Sequence, residues 1–392
     1  MIFPKVNSFL LLLTCCVLSL CGCNSGNEIE SNGFEIKRLK VLSSEAHSSV
    51  TGPVFNDVNV TQLQTSSEDF LTSCSKVLFN KNYYVLDGSQ KTLSVFTPQG
   101  LFLARIGKIG RGPGEFQGVS YFQLDNMRNE IIVYSAADMR LFFFDLMGEF
   151  LRSIKLDFYG DTFEILNDEQ LAFYINYNPS DVTSNFNVVV TDYSGKVQST
   201  MWPYGPKAKA SVSFSGFLAS FQNNILYNHA FSDTLWLLNS SFQKETAYIF
   251  DFEGREWNHG FDFSQLYKHD IAEITYLAKG QVYIDDTWLF KSIMYKQRLR
   301  NIILNRKTGD LINEWKQKGD FLFKLIRAPH MKTDEGVYVS SISATFYQAL
   351  ITSYPNEWEL FQIDYPGLVD KLRPIQEKGG NPVLLTYSMY QD

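Results

Sequence analysis

The apolar and polar positions of this chain form a repeat. Leu93 to Ile106 reads as an apolar strand, a short turn closing on Gly100 and a second strand; Leu141 to Ile154 has the same layout around Gly148. The landmark recurs at Gly195, Phe242 and Gly309, so the steps from Gly100 are 48, 47, 47 and 67 residues. An apolar strand ends before each landmark, and the next residue is Thr97, Asp145, Asp192, Asn239 or Asn305. Short polar side chains there bond the backbone of the turn they open, and glycine accepts a positive φ where the turn closes.

An earlier strand precedes each pair, at residues 83–86, 131–134, 171–175, 225–227 and 288–290, with shorter apolar stretches upstream at 77–79 and 119–124. That makes four strands per unit, and such a unit cannot bury its faces alone, which is the pattern of a propeller. The expectation is an all-β fold, a six-bladed β-propeller of four-stranded antiparallel blades with short helical insertions. The sixth blade is expected from Gly336 to Ile351 plus terminal strands, with seven blades as the alternative. Pairing the chain ends in one blade would remove open sheet edges. The long step marks an insertion at 251–280, in which Phe263 to Ile274 has the spacing of a short helix with Ser264 as its cap. A second helical candidate runs from Trp358 to Leu372, interrupted by Pro366.

Composition sharpens this in two ways. Aromatics make up 15% of the 392 residues, with 32 Phe and 21 Tyr, which suits packing between blades better than rows of sugar-stacking platforms. The net charge of −7, without a basic stripe, argues against a nucleic-acid partner. The densest basic stretch, Lys291 to Arg300, is expected to be a solvated strand face.

The first residues predict location. Met1 to Leu20 has one cation, Lys5, before an apolar run too short to span a membrane, so 1–22 reads as a secretory leader. Leu20-Cys21-Gly22-Cys23 resembles the lipobox of bacterial lipoproteins, which implies cleavage after Gly22 and lipid on Cys23, with Cys21 as the other acceptor. Residues 23–36 are then a polar tether and 37–392 the propeller domain. With the leader gone, Cys23 and Cys74 are the cysteines left, which allows no disulfide framework. Cys74, among apolar neighbours, is expected to be a buried small hydrophobe.

Three further motifs carry a resemblance: Gly110-Arg-Gly-Pro-Gly-Glu-Phe116, Ser232-Asp-Thr-Leu-Trp236 and Asn381-Pro-Val-Leu384. With them the chain is similar to NHL repeats, and more specifically looks like the 6-bladed β-propeller lipoproteins of Bacteroidetes. The resemblance implies the fold and an outer-membrane lipoprotein, facing the periplasm or the cell surface. It carries over no catalytic residue.

Antiparallel alternation puts the second-to-third-strand loops and the blade-to-blade loops at one end of the ring. That face should hold residues 87–91, 108–115, 135–140, 176–185, 229–233 and 295–298, and Arg111, Arg140, His229 and Asp233 are its ligand candidates. Arg111 sits in a Gly-rich loop whose amides suit an anion, although the loop lacks the ending of a nucleotide-binding P-loop. His259 and His269 lie near carboxylates at a spacing that matches no metal motif, and Asp285-Asp286 reads as a strand turn before it reads as a calcium pair. No cofactor or metal is expected. The favoured function is a lipid-anchored envelope module that recognises a peptide, glycan or protein. The alternative is an NHL-like metal-dependent lyase or hydrolase with its site in the channel, which needs His and carboxylates pointing inward from three or more blades.

Overall fold

The structure is a computed structural model that describes residues 28–29, 33–42, 54–64, 70–205, 208, 216–221, 224–260, 262–278, 282–313, 320–378 and 380–390. The expected leader and its lipid acceptors, Cys23 or Cys21, lie outside these residues. Six antiparallel blades form a propeller ring. Blade I runs Lys76–Asn80, Asn82–Asp87, Thr92–Phe96 and Phe102–Arg105, from the channel outward; blade II runs Tyr121–Asp125, Glu130–Ser135, Arg140–Asp145 and Phe150–Lys155. Blade III spans Thr162–Ile165 to Val197–Pro203 and blade IV Phe217–Phe221 to Lys244–Asp251. In blade V the inner position is shared by Tyr276–Leu277 and Tyr283–Ile284, which both pair with Trp288–Tyr295; Arg298–Asn305 and Leu311–Asn313 follow.

Blade VI closes the ring. Its strands are Met331–Lys332, Tyr338–Ile342, the C-terminal Val383–Met389 and, outermost, the N-terminal Phe55–Gln62, whose Gln62 stands opposite Val383. The expected sixth blade is thus half corrected: strand structure stops at Ile342, and Ala344–Ser353 is a helix (α2). The reason is local, since Ser343 takes an extended conformation and its side chain accepts from the Phe346 amide, a helix N-cap. Before α2 comes the short α1, Phe321–Leu325, capped by Asp320; after it come α3, Pro355–Asp364, and α4, Pro366–Lys378. The break foreseen at Pro366 is therefore real, with a proline opening each of the two helices. The insertion forms two 3₁₀ turns, Phe263–Lys268 and Ile271–Glu273, instead of one helix, and Asp262 replaces Ser264 at the N-cap position. Ahead of the ring, Glu35–Lys40 adds to blade IV in parallel with its outer strand, and Glu28–Ile29 pairs with Glu35–Lys40.

Successive side chains of a strand point to opposite faces, and here each face meets a different blade. Ile131 and Val133 pack toward Tyr84, Leu86, Leu93 and Val95 of blade I, whereas Ile132 and Tyr134 pack toward Phe163, Leu171 and Phe173 of blade III. The same division repeats around the ring, so the apolar clusters lie between blades rather than in one central core.

The landmark turns take the conformation that their residues demand. Gly100, Gly148, Gly195, Phe242 and Gly309 have φ of 85°, 94°, 85°, 60° and 83°. The side-chain oxygens of Asp145, Asp192 and Asn239 each accept amides two and four residues on. At Gly100 an added Cβ would lie 2.0 Å from the Gln62 carbonyl oxygen of the closing strand, whereas at Gly148 it would meet the Ile106 Cδ1 tip at 3.0 Å. Both replacements by alanine should carry the left-handed strain of roughly 1–2 kcal/mol. Gly100→Ala should lower the thermal midpoint further, because backbone yields less readily than a methyl end. Equal shifts in parallel thermal melts would contradict this account of how the closing strand is seated.

Candidate functional site

The loop-rich end foreseen for the ring gathers several of the candidates without joining them. In the Gly-rich connection between blades I and II, Lys108–Ile109 pairs in parallel with Glu115–Phe116, and Gly107 and Gly114 take φ of 65° and 74°. Its amides already hold an anion. Glu115 Oε2 accepts from the Arg111 amide at 3.0 Å and the Gly112 amide at 2.8 Å, while the Arg111 residue is exposed. Arg140 begins the third strand of blade II, with Nη1 3.4 Å from Ser153 Oγ. His229 and Asp233 share one turn of blade IV. Burial pulls the imidazole below its ordinary pKa, and its Nδ1 lies 2.9 Å from the Ala230 carbonyl; Asp233 Oδ1 accepts from Thr234 Oγ1 at 2.7 Å.

The carboxylates and imidazoles weighed for metal chemistry have other employment. Asp285 accepts from Tyr338 Oη at 2.5 Å, Lys332 Nζ at 3.0 Å and the amides of Thr287 and Trp288. Burial opposes its charge, but these donors outweigh burial and hold the carboxyl below its usual range. The His259 and His269 rings pack 4.6 Å apart beside Trp257. Among the described residues no group of three or more His, Cys, Asp and Glu has the arrangement of a metal site.

Inside the channel, Glu164 is a hub that spans three blades. It accepts from Tyr121 Oη at 3.0 Å and Gln123 Nε2 at 2.7 Å of blade II, and from Ser220 Oγ at 2.5 Å of blade IV. Lys76 of blade I sits over the Tyr121 ring at 3.8 Å, and burial brings its ammonium down to about 8 against the pull of Glu164. His330, just before blade VI, pairs with Ser341 Oγ at 2.8 Å and stands 4.0 Å from Cys74 Sγ. This is not an activated dyad, because burial pushes the Cys74 thiol up to about 12, whereas reactive cysteines are shifted downward. Cys74 is a half-buried thiol packed against the apolar cluster that includes Leu71 and Val77, as its sequence neighbours suggest, with His330 also beside it.

At the loop-rich end lies a cleft of about 570 Å³ lined by Arg298, Arg300, Lys324 and Arg327 with Leu299, Leu350, Ser353 and Tyr354. Among the described residues its lining holds four cations. Three elements build it. Lys296 and Gln297, with φ of 48° and 56°, turn the chain of blade V tightly, and Arg298 and Arg300 then fall two apart on one face of the next strand. Helix α1 supplies Lys324, with Arg327 two residues beyond its end, and the C-terminal end of α2 supplies Tyr354. Arg300 Nη1 donates to Tyr354 Oη at 3.3 Å, Lys324 Nζ lies 5.1 Å from the Tyr354 ring, and the Arg327 guanidinium stacks 4.0 Å from the Phe346 ring. The negative end of the α2 dipole offsets some of the repulsion among these cations. Asp320 is the carboxylate beside Lys324, and burial raises its pKa against the Phe323 amide and the Lys324 charge.

The structure corrects the reading of Lys291 to Arg300 as a solvated strand face at one end only: Lys296 and Arg298 are exposed, as expected, but Lys291 is not. Lys291 is buried, donates from Nζ to the Ala278 carbonyl at 2.7 Å and lies 4.2 Å from the Phe217 ring, with its ammonium lowered to about 7 by burial. Leu289, Lys291 and Ile293 share one strand face, and both apolar members pack against blade IV. That alternation was the available signal. Lys324, Arg327 and Tyr354 gave none, since each is an ordinary residue in its own segment.

His330 generates a prediction about pH. Burial, then Lys76, lowers its pKa to about 3 from 6.5, so between those values the unfolded chain binds a proton that the folded chain refuses. Stability is therefore complete above pH 6.5 and falls as the pH drops toward 3, by up to about 1.4 kcal/mol per unit. His330→Gln should flatten this part of the profile. Denaturation midpoints measured from neutral to acid pH would refute the assignment if both proteins lost stability in parallel.

Comparison with known structures bears on the fold alone. A structure described as "Putative exported protein" from Bacteroides fragilis superposes with a TM-score of 0.68 at 19% identity, covering 91% of this chain and all of that one. A DUF4221 member from Bacteroides vulgatus gives 0.45 at 11% identity over 86% of this chain and 99% of that one. A streptogramin B lyase gives 0.40 at 8% identity over 67% and 74%. The last two likenesses are too slight to bear on function, and the first speaks for the fold alone. No curated protein matches in sequence. A family profile does match, over residues 44–388, and the chain belongs to that family, the Domain of unknown function DUF4934.

Proposed function

We propose that this protein is a lipid-anchored, NHL-like recognition propeller of the cell envelope, held at the outer membrane through Cys23, that binds a negatively charged partner at the cationic cleft. The cleft is the observation that carries this reading. Its size suits a ligand of drug or oligosaccharide dimensions. It also lies on the end of the ring where loops are free of the packing that fixes the blade faces. Arginine and lysine groups lining a concave site favour ligands of opposite sign, although the whole chain is acidic.

The lyase or hydrolase reading finds less support. On the channel side, His330 stands just before blade VI and Glu164 belongs to blade III. Their hydrogen bonds go to Ser341 and to the donors on Glu164. The criterion of such groups from three or more blades is not met by them.

Two measurements test the proposal. Labelled protein laid over arrays of acidic and neutral glycans and peptides should bind acidic members, with signal that falls as salt rises. The pair Arg298→Gln and Arg300→Gln should remove that binding, and Arg111→Gln should keep it. Retention of acidic ligands by the double variant at wild-type strength would place the binding surface elsewhere. Separately, metabolic labelling with a fatty acid should mark the wild type and not Cys23→Ala, and a labelled variant would transfer the anchor to Cys21.

A further inference from the structure

The strand added to blade IV bears on how the ring sits at a bilayer, and an inference drawn from it rests on the anchoring part of the reading above. Glu35–Lys40 lies parallel to Lys244–Asp251, the outer strand of blade IV, and Glu28–Ile29 pairs with its first two residues. Glu28 is five positions after Cys23. A chain gains at most about 3.6 Å per residue, so the two Cα atoms lie within about 18 Å of each other. A lipid on Cys23 therefore ties this edge of blade IV to the bilayer surface, whatever path the chain takes between them. Lys244 follows the landmark turn at Phe242, and Glu35 stands opposite Thr246. The tie thus reaches the ring at its landmark-turn end, away from the loop-rich end that carries the cleft.

The surface presented beside this strand is amphipathic. The Phe34 ring meets the Trp236 ring edge-on at 5.6 Å, and the Trp202 ring of blade III lies 5.9 Å from Trp236. All three aromatic residues are only partly buried, unlike Phe163 and Phe173 between blades II and III. The exposed Lys244 holds its ammonium 4.1 Å from the Trp236 ring and 5.5 Å from the rings of Phe34 and Trp202. Arg38 and Lys40 fall two apart on one side of the added strand, and both are exposed. Glu35 is met by Lys37 at 3.4 Å, so the strand carries an excess of cations. Aromatic rings with one wet edge suit the boundary between lipid tails and water, and cations beside them suit lipid phosphates. A covalent lipid alone leaves the ring free to turn on its tether, whereas a second contact of this kind fixes one seating.

We propose that the outer edge of blade IV is a membrane-contacting surface. Phe34, Trp202 and Trp236 rest at the headgroup level of the bilayer that holds the lipid anchor, with Lys244 on lipid phosphates. In that seating the loop-rich end faces the aqueous side, and the cleft stays open to its ligand.

Tryptophan fluorescence of the lipidated protein reads this contact. The protein is reconstituted in vesicles of phosphatidylcholine and phosphatidylglycerol, with and without acyl chains brominated close to the headgroup. Bromine quenches only rings that it approaches closely. Brominated lipid should quench part of the wild-type emission. The double variant Trp202→Phe and Trp236→Phe should lose most of that quenched part, with a thermal melt close to the wild type. Trp257→Phe, a change to another partly buried indole, should keep it. Equal quenching in the wild type and the double variant puts the contact on another surface and overturns the proposal. Absence of quenching in protein that sediments with the vesicles also overturns it, and leaves the anchor at Cys23 standing. Protein that stays in the supernatant and takes up no labelled fatty acid loses the anchor, and this inference with it.

Discussion

Everything in this molecule depends on each central strand burying both of its faces against different neighbours. Ile131 and Val133 belong to one blade interface and Ile132 and Tyr134 to the next, so no residue in that strand is spare. A single-residue slip would exchange the two sets and misfit two interfaces together. This double commitment explains why aromatic side chains are so frequent: the space between stacked blades is filled by rings such as Phe163 and Phe173 in contact across neighbouring strands. It also explains why the ring must be sealed. A terminal blade would leave one such apolar face open, and the pairing of Val383–Met389 with Phe55–Gln62 removes that face by hydrogen-bonding the two chain ends.

Blade faces committed in this way cannot carry a ligand site, which leaves the channel and the rims. The channel is crossed by polar contacts among innermost strands, with Glu164 linking blades II, III and IV. A buried carboxylate with three donors fixes the relative position of those blades, and the low dielectric that strengthens each bond makes an unpaired member costly. The loop-rich rim is freer. The Gly-rich connection there satisfies its own amides with Glu115, whereas the helices inserted before and within blade VI bring cations against a hairpin of blade V.

The architecture was legible in the sequence because its determinants are local. Asp145, Asp192 and Asn239 bond the turns that they open, and the glycine landmarks at 100, 148, 195 and 309 adopt the left-handed conformation that glycine alone takes without strain. Phe242 occupies the same conformation without being glycine, which is why only the repeat, not the residue, revealed it. Segments at the rim were harder. Ala344–Ser353 carries apolar residues that a strand could use, and the cap at Ser343 decides for helix. The cleft was illegible for a different reason: its residues lie on three segments that the ring closure brings together, so no spacing records it. Arg298 belonged to a loop assigned to the correct end of the ring, but Lys324 and Tyr354 had no local signature.

The contrast between Lys291 and Lys324 shows how one side-chain type serves two ends. Both ammonium groups lie near aromatic rings, Phe217 and Tyr354, and both residues are largely buried. Lys291 donates to the Ala278 carbonyl between blades IV and V, where burial lowers its pKa to about 7 and the carbonyl gives it a fixed partner. Lys324 instead borders a cleft open to solvent, next to Arg300 and Arg327. An anion that bound this cleft and not the unfolded chain would stabilise the fold by mass action, so occupancy of the cleft and folded stability are linked.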